Sequence, residues 1–216
     1  MGICTGDCLC KNKSHEGKRI VLTGGPGAGK TAVLEIVKKN FCNHIAILPE
    51  SASIIFSGGF WRKDSIPAKK AAQRAVYHVQ KELEQLVIEE QESAIILCDR
   101  GTIDGLAYWP CEETLFWQEL ETTKEKEFSK YSAVIHLRTP TLEDGYNHSN
   151  PVRIETVKQA RKIDEHIKNV WAGHPKRFLV DSTKNFIEKV YKTVELIRSE
   201  VPECCKKHAL IFKNTS

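Results

Sequence analysis

Residues 24–31 read GGPGAGKT and directly follow the apolar run Ile20, Val21, Leu22. The spacing is G-x-x-x-x-G-K-[ST], with Gly24, Gly29, Lys30 and Thr31 at the fixed positions, and the helical pattern VLEIVKKNF comes next. A strand, a tight glycine-rich loop and a helix in that order put the loop at the carboxyl edge of a sheet. The small residues Gly25, Pro26, Gly27, Ala28 and Gly29 let backbone N–H groups turn inward around an anion. The helix behind them adds unpaired N–H groups and the positive end of its dipole. Lys30 supplies a mobile point charge for terminal phosphates, and the Thr31 hydroxyl can ligate the Mg²⁺ that travels with a nucleoside triphosphate.

From Lys18 onward, short apolar runs alternate with helical periods, which predicts an α/β fold on a mostly parallel sheet. Strands are expected at Arg19–Thr23, Ile45–Leu48, Ala94–Cys98, Ala133–Leu137 and Arg177–Val180. Helices are expected at Lys30–Phe41, Ala68–Glu92, Glu112–Tyr131, Thr156–Trp171 and Asn185–Ser199. A length of 216 residues suits one domain over residues 18–200, with a flexible cysteine-containing segment 1–17 before it and a tail 201–216 after it. The net charge of +4 is small for a chain with 28% charged residues, so composition does not argue for nucleic acid as a partner. No apolar run approaches the roughly 18 residues of a membrane span, and the amino end lacks the apolar stretch of a secretory signal. A cytoplasmic protein without a transmembrane segment is expected.

The chain has eight cysteines. In a reducing compartment Cys42, Cys98 and Cys111, scattered through the body, read as small buried hydrophobes. Cys4, Cys8 and Cys10 crowd one end, and Cys204 and Cys205 the other. Cys4, Cys8, Cys10 and Cys204 could converge on zinc if the ends meet, although C-x-x-x-C-x-C is not a common ligand spacing. The start MGIC invites lipidation at Gly2 and Cys4, but position 6 is Gly, so that motif fails at its last fixed place.

In an open parallel sheet, ligands bind beyond the carboxyl ends of the strands. The second run ends LPES, and Pro49 stops pairing so that Glu50 projects at that edge, placed to take a proton from an acceptor hydroxyl or to hold a magnesium-bound water. A helix cap or a solvated charge is the plainer role for it. Next, SGGFWRKD over Ser57–Asp64 reads as a loop that can close over a substrate. In the long helix, Ala72, Val76, Val79, Leu83, Leu86 and Val87 share one face, expected to pack on the sheet. Gln73, Tyr77, Gln80 and Glu84 form a separate polar strip with Arg74 beside it. That strip is either solvated or positioned to hydrogen-bond the acceptor.

The third run, AIILC, leads into Asp99 and Arg100. Asp99 is placed to bind Mg²⁺, and Arg100 to neutralise a transferring phosphoryl group with a planar fork of donors. Asp104 and Tyr108 can line the same pocket. The fourth run ends at Arg138 and opens the turn-rich segment to Pro151, with Arg153 and Arg161 following. Such a segment can fold over terminal phosphates and exclude water. After the fifth run, Asp181, Ser182 and Thr183 sit where such folds hold an adenine or guanine ring, and they read equally as base contacts or as a simple turn.

GGPGAGKT, LPES, QRAVYHVQKELE, DRGTIDGLAYW, RIETVKQARKIDEHIKNVWAGHP and FLVDST, taken in order, resemble the small AAA-type P-loop family that includes ribosylnicotinamide kinase domains. The resemblance covers roughly residues 19–199. The chain is also similar to a eukaryotic branch of that family described as GTP-binding proteins that contact phosphoinositides in membrane trafficking. The resemblance implies a kinase-like three-layer core with strand order 2-3-1-4-5 and Mg²⁺-bound ATP or GTP at the phosphate loop. It also implies an acceptor pocket between Glu50, the long helix and Arg100.

Two activities follow as expectations. In the first, the chain is a kinase that moves the γ-phosphate to a hydroxyl of a small, nucleoside-like acceptor, with Lys30, Glu50, Asp99 and Arg100 as its catalytic residues. Thr31 and Asp99 then hold the metal, Gln73, Arg74, Tyr77, Gln80 and Asp104 contact the acceptor, and Arg138, Arg153 and Asp181 complete the nucleotide site. In the second, slow hydrolysis of ATP or GTP orders loops for a protein or phosphoinositide partner.

Overall fold

A computed structural model describes residues 16–140, 157–182 and 185–206 of the chain. Five strands form its centre: β1 (Lys18–Thr23), β2 (Ile45–Leu48), β3 (Ile95–Asp99), β4 (Ala133–Leu137) and β5 (Arg177–Val180). They lie in the order β2-β3-β1-β4-β5 and every neighbouring pair is parallel, in register through contacts such as Leu22 with Asp99 and Leu22 with Ile135. β1, β3 and β4 have both faces covered, so they are continuous apolar runs, and Ile20, Val21, Leu22, Ile95, Ile96 and Leu97 are fully buried. This is the three-layer α/β architecture with kinase-like strand order that the motif order implies.

One face of the sheet carries α1 (Lys30–Asn40) and α7 (Phe186–Glu200), and their Val33, Val37, Val190, Val194 and Ile197 join one core with Ile20, Leu22 and Ile135. The other face carries α3 (Ile66–Glu90), α4 (Glu113–Glu119) and α6 (Val157–Val170) over Val21, Ile96, Cys98 and Val134. Trp171 and Phe116, both fully buried, fill that second core. Burying an aromatic or branched side chain of this kind contributes about 1.5–3 kcal/mol relative to leaving it in water. The short α2 (Ser51–Ser57) follows β2, and α8 (Glu203–Lys206) ends the described chain.

Two sequence expectations change here. The pattern over Glu112–Tyr131 is not one helix: Glu121 takes a φ of 50°, and Thr123 starts α5 (Lys124–Phe128) by accepting the Lys126 N–H. The second change concerns the face of α3. Ala72 is buried as expected, but the fully buried positions beside it are Tyr77, Gln80 and Glu84, while Leu86 is 53% exposed. The polar strip faces inward, because partners from other elements satisfy it. Gln80 accepts from Ser51 Oγ at 2.7 Å, Glu84 accepts from Tyr131 Oη at 2.8 Å, and Tyr77 donates to Glu127 at 2.8 Å. Leu83, Val87 and Ile88 flank the strip and pack against the core only in part.

Candidate functional site

The loop between β1 and α1 sits where its sequence requires. Gly24 has a φ of 139°, and a Cβ there would lie 2.1 Å from the Leu137 carbonyl oxygen, so both backbone and space exclude any other residue. Two buried polar side chains clamp the loop. Asp164 of α6 accepts the Gly25 N–H at 2.9 Å, and Lys189 of α7 donates to the Ala28 carbonyl at 2.9 Å and to the Arg138 carbonyl at 2.5 Å. Burial works against ionised Asp164, but the His136 ring at 2.9 Å, the Gly25 N–H and Arg138 outweigh it and hold its pKa below the usual carboxylate range.

Lys30, Glu50 and Arg100 meet at the mouth of this loop. Lys30 Nζ donates to the Gly24 carbonyl at 3.2 Å, and burial, followed by the charge of Arg100, lowers its pKa to about 8. Arg100 Nε donates to Glu50 Oε1 at 2.5 Å, and its Nη1 reaches the same Gly24 carbonyl at 3.3 Å. Burial would raise the Glu50 pKa, yet Arg100, Lys30 and the Ser53 hydroxyl reverse that and bring it to about 2. Arg100 holds a φ of 74°, a left-handed conformation that a side chain with a Cβ adopts only under constraint. Its constraint is visible: its N–H donates to the Leu22 carbonyl at 3.1 Å while its guanidinium is held by Glu50 on one side and Asp104 on the other.

Asp99 ends β3 beside Leu22. Burial raises its pKa, with Lys30 and Arg100 pulling the other way, and its Oδ1 is buried with no hydrogen-bond partner among the described residues. An orphaned carboxylate oxygen, with the Glu50 and Asp104 carboxylates near enough to act on it, is a fit for a hard cation. Gly101 then admits Trp171, since a Cβ at that position would lie 2.6 Å from the indole.

A cleft of about 1510 Å³ runs from residues 26–32 of the phosphate loop past Glu50 and Arg100 to Gln73, Gln80 and Trp109. The expected site residues divide on it. Pro26, Gly27, Ala28, Gly29, Lys30, Thr31, Glu50, Arg100, Gln73, Gln80 and Asp104 line the cleft, as do Trp61, Arg62, Lys63 and Asp64 of the loop after α2. Others are placed differently. Tyr77 is buried on Glu127, and Arg74 pairs with Glu119 at 2.6 Å, so neither reaches the cleft wall. Arg138 turns to Asp164 and Glu165, and Asp181 is exposed away from the cleft. Asp104 does reach it, but its carboxylate accepts from Thr23 at 2.6 Å and from Trp171 at 2.5 Å, so it serves to hold Arg100. Arg153 and most of the turn-rich segment lie outside the described residues.

Asp164, Lys189, Phe186 and Trp109 belong to the site without having been read from the sequence. Asp164 shares an inward stripe with Ala160, Ile167 and Trp171, and Lys189 lies one turn before Thr193 and two before Ile197. A charged residue on an apolar stripe is a detectable signal of a buried partner. Phe186 is half exposed against Gly29, and the Trp109 indole N–H is buried with no hydrogen-bond partner among the described residues.

Residues 19–189 match the family model described as an AAA domain. No curated protein matches the chain. Among solved structures, thymidylate kinase from Candida albicans aligns over 87% of this chain and 95% of its own, with a TM-score of 0.59 and 14% identity. At that identity the likeness is one of fold. The kinase-like P-loop fold implies nucleotide binding. Among the described residues no helix is long and apolar enough to cross a membrane.

Proposed function

Since the chain belongs to the AAA domain family of P-loop proteins, we propose that it is a phosphotransferase carrying the γ-phosphate of ATP or GTP to a hydroxyl of a small, nucleoside-like acceptor. The observation that carries this reading is the cleft itself. At about 1510 Å³ it exceeds the roughly 300–1,000 Å³ of an ordinary small-molecule site, and Lys30, Glu50 and Arg100 line it together with the phosphate loop and with Gln73, Gln80 and Trp109. A nucleotide switch needs only the half on the phosphate-loop side.

On the donor side, the backbone N–H groups of Gly27, Gly29, Lys30 and Thr31 hold the phosphates and the Lys30 side chain neutralises the terminal one. Phe186, beside Gly29, offers a ring face to the base. Mg²⁺ would be held by Thr31 and Asp99, where it would supply charge neutralisation across the β- and γ-phosphates. On the acceptor side, the Gln73 amide can hydrogen-bond a polar ring, Trp109 lines the wall, and Gln80 is fixed in place by Ser51 and Glu84.

During transfer the acceptor oxygen forms a bond to phosphorus as the bridging oxygen of the leaving diphosphate departs. Arg100, fixed by Glu50, donates to the equatorial oxygens of the moving group. Glu50, with a pKa near 2, is a weak base. Its role is therefore to accept a hydrogen bond from the acceptor hydroxyl and aim the oxygen, each carboxylate oxygen retaining a lone pair beyond those used by Arg100 and Ser53. The hydroxyl proton then leaves late, once bonding to phosphorus has made the oxygen strongly acidic, and passes to the Glu50 carboxylate and from there to water. Incubating the purified chain with Mg²⁺, labelled ATP or GTP and a panel of nucleosides tests this. Acceptor-dependent transfer faster than phosphate release is expected; equal phosphate release with and without every acceptor instead supports a switch for a protein or phosphoinositide partner.

A further inference from the structure

At the amino edge of the sheet, opposite the phosphate cleft, the structure brings together Cys42, His44 and Cys205. Cys42 and His44 lie in the short turn between α1 and β2, and Cys205 comes from α8, 161 positions beyond His44. The cysteine sulfurs and a His44 ring nitrogen all lie within 4.8 Å of one another, and Cys205 Sγ is 3.8 Å from His44 Nδ1. Both cysteines are thiols and almost fully buried, whereas His44 is half-buried and opens the cluster to solvent.

We propose that Cys42, His44 and Cys205 form a zinc site that ties the carboxyl-terminal helix to the start of β2. The spacing matches the ion. With Zn–S near 2.3 Å and Zn–N near 2.0–2.1 Å, tetrahedral geometry separates sulfur from nitrogen by about 3.6 Å, so the Cys205–His44 pair at 3.8 Å is within a few tenths of an ångström of that separation, and Cys42 lies within 4.8 Å of both. Two thiolates and an imidazole suit a borderline-soft ion and not Mg²⁺, which takes oxygen ligands, so this site and the nucleotide site do not compete for metal. The fourth position faces solvent through His44 and takes water or a small thiol.

The backbone holds the three ligands in place beforehand. The Ile45 N–H donates to the Cys42 carbonyl at 3.1 Å, the His44 carbonyl accepts from the Ala94 and Ile95 N–H groups at 2.8 and 3.2 Å, and the Cys205 N–H donates to the Pro202 carbonyl at 2.9 Å. Binding releases the two thiol protons, leaving thiolates that the cation neutralises within the core. Cys42 and Cys205 thus do more than fill space, and the metal joins segments at least 161 positions apart.

The test is Zn²⁺ binding by the purified full-length chain, stripped with a chelator and kept reduced, compared with His44→Ala, Cys42→Ser and Cys205→Ser. A competing chromophoric chelator reads affinity, and Co²⁺ in place of Zn²⁺ reads coordination through its thiolate charge-transfer and tetrahedral ligand-field absorption. The expected result is one ion per chain, a tetrahedral thiolate spectrum, and weakening in each variant of at least about 100-fold, the upper end of what losing a residue that merely supports a ligand costs. His44 is half-buried in a turn, so His44→Ala keeps the test valid if either serine variant fails to fold, and nucleotide binding at the other edge of the sheet reports folding. Wild-type protein that takes up no stoichiometric zinc overturns the proposal. So does a folded His44→Ala variant with unchanged affinity and cobalt spectrum, since other groups would then hold the ion.

Discussion

Two buried clusters of charged and polar side chains flank β3, and they are built on opposite principles. The cluster around Glu84 and Glu127 is closed. Glu127, fully buried, accepts from Tyr77, Thr102, Thr122 and Lys130, and Glu84 accepts from Gln80 and Tyr131 with Arg19 at 3.5 Å. Burial raises the Glu84 pKa despite those hydrogen bonds, whereas Lys130 and the Thr102 and Thr122 hydroxyls overcome burial at Glu127 and lower its pKa. The cluster around Lys30, Glu50, Asp99 and Arg100 is open. It carries an orphaned carboxylate oxygen, a left-handed arginine and a lysine with a pKa near 8, and its Lys30, Glu50 and Arg100 line a cleft. A network whose donors and acceptors match holds a fold together, while one left unmatched and strained at a cleft is poised for a ligand that completes it.

This contrast can be broken by mutation. The largest effect is expected for Lys30→Ala: loss of nucleotide binding or turnover with little change in thermal stability, read by titration and melting on one preparation. Normal turnover would mean that the phosphates bind elsewhere. For the closed cluster, Glu127→Ala leaves several buried donors without a partner and should cost about 3 kcal/mol of stability in denaturant unfolding. It should leave the nucleotide affinity of the folded fraction unchanged; an affinity loss without destabilisation would make the closed cluster part of the site.

A smaller effect tests backbone strain. At a φ of 74°, Arg100→Gly should be more stable than Arg100→Ala by about 1 kcal/mol, although both lose the ion pair with Glu50. Equal stabilities would show that the left-handed conformation stores no strain. The smallest is a proton balance. The unfolded chain binds more protons than the folded one between about pH 8 and 10.5, so the penalty Lys30 places on folding fades as pH rises through that window. A triphosphate restores the charge, so binding at pH 8 should take up about half a proton, measured by calorimetry in buffers of different ionisation enthalpy. Uptake near zero would put the lysine pKa elsewhere.

The same contrast explains what could be read from the sequence. The five strands are legible because burial on both faces leaves uninterrupted apolar runs, and the phosphate loop because its glycines, lysine and threonine are contiguous. Glu50, Asp99 and Arg100 are legible because each lies at or just after the carboxyl end of a strand. The facing of α3 is not, because what turns Tyr77, Gln80 and Glu84 inward comes from Glu127, Ser51 and Tyr131, which lie 50, 29 and 47 positions away. Asp164 is likewise 139 positions from the Gly25 N–H it anchors. Hydrophobic periodicity reports which residues prefer to leave water, and a polar strip satisfied at long range is invisible to it.

On the proposed mechanism, Glu50 and Arg100 separate the donor and acceptor halves of one cleft. Glu50→Gln tests it most directly, with nucleotide affinity and acceptor-dependent transfer measured on the same preparation. Affinity for the triphosphate should be unchanged and transfer reduced by roughly 10²-fold, because the glutamine amide keeps the shape but loses the charge that fixes Arg100 and aims the hydroxyl. Transfer at the wild-type rate, or affinity and transfer falling together, would contradict it.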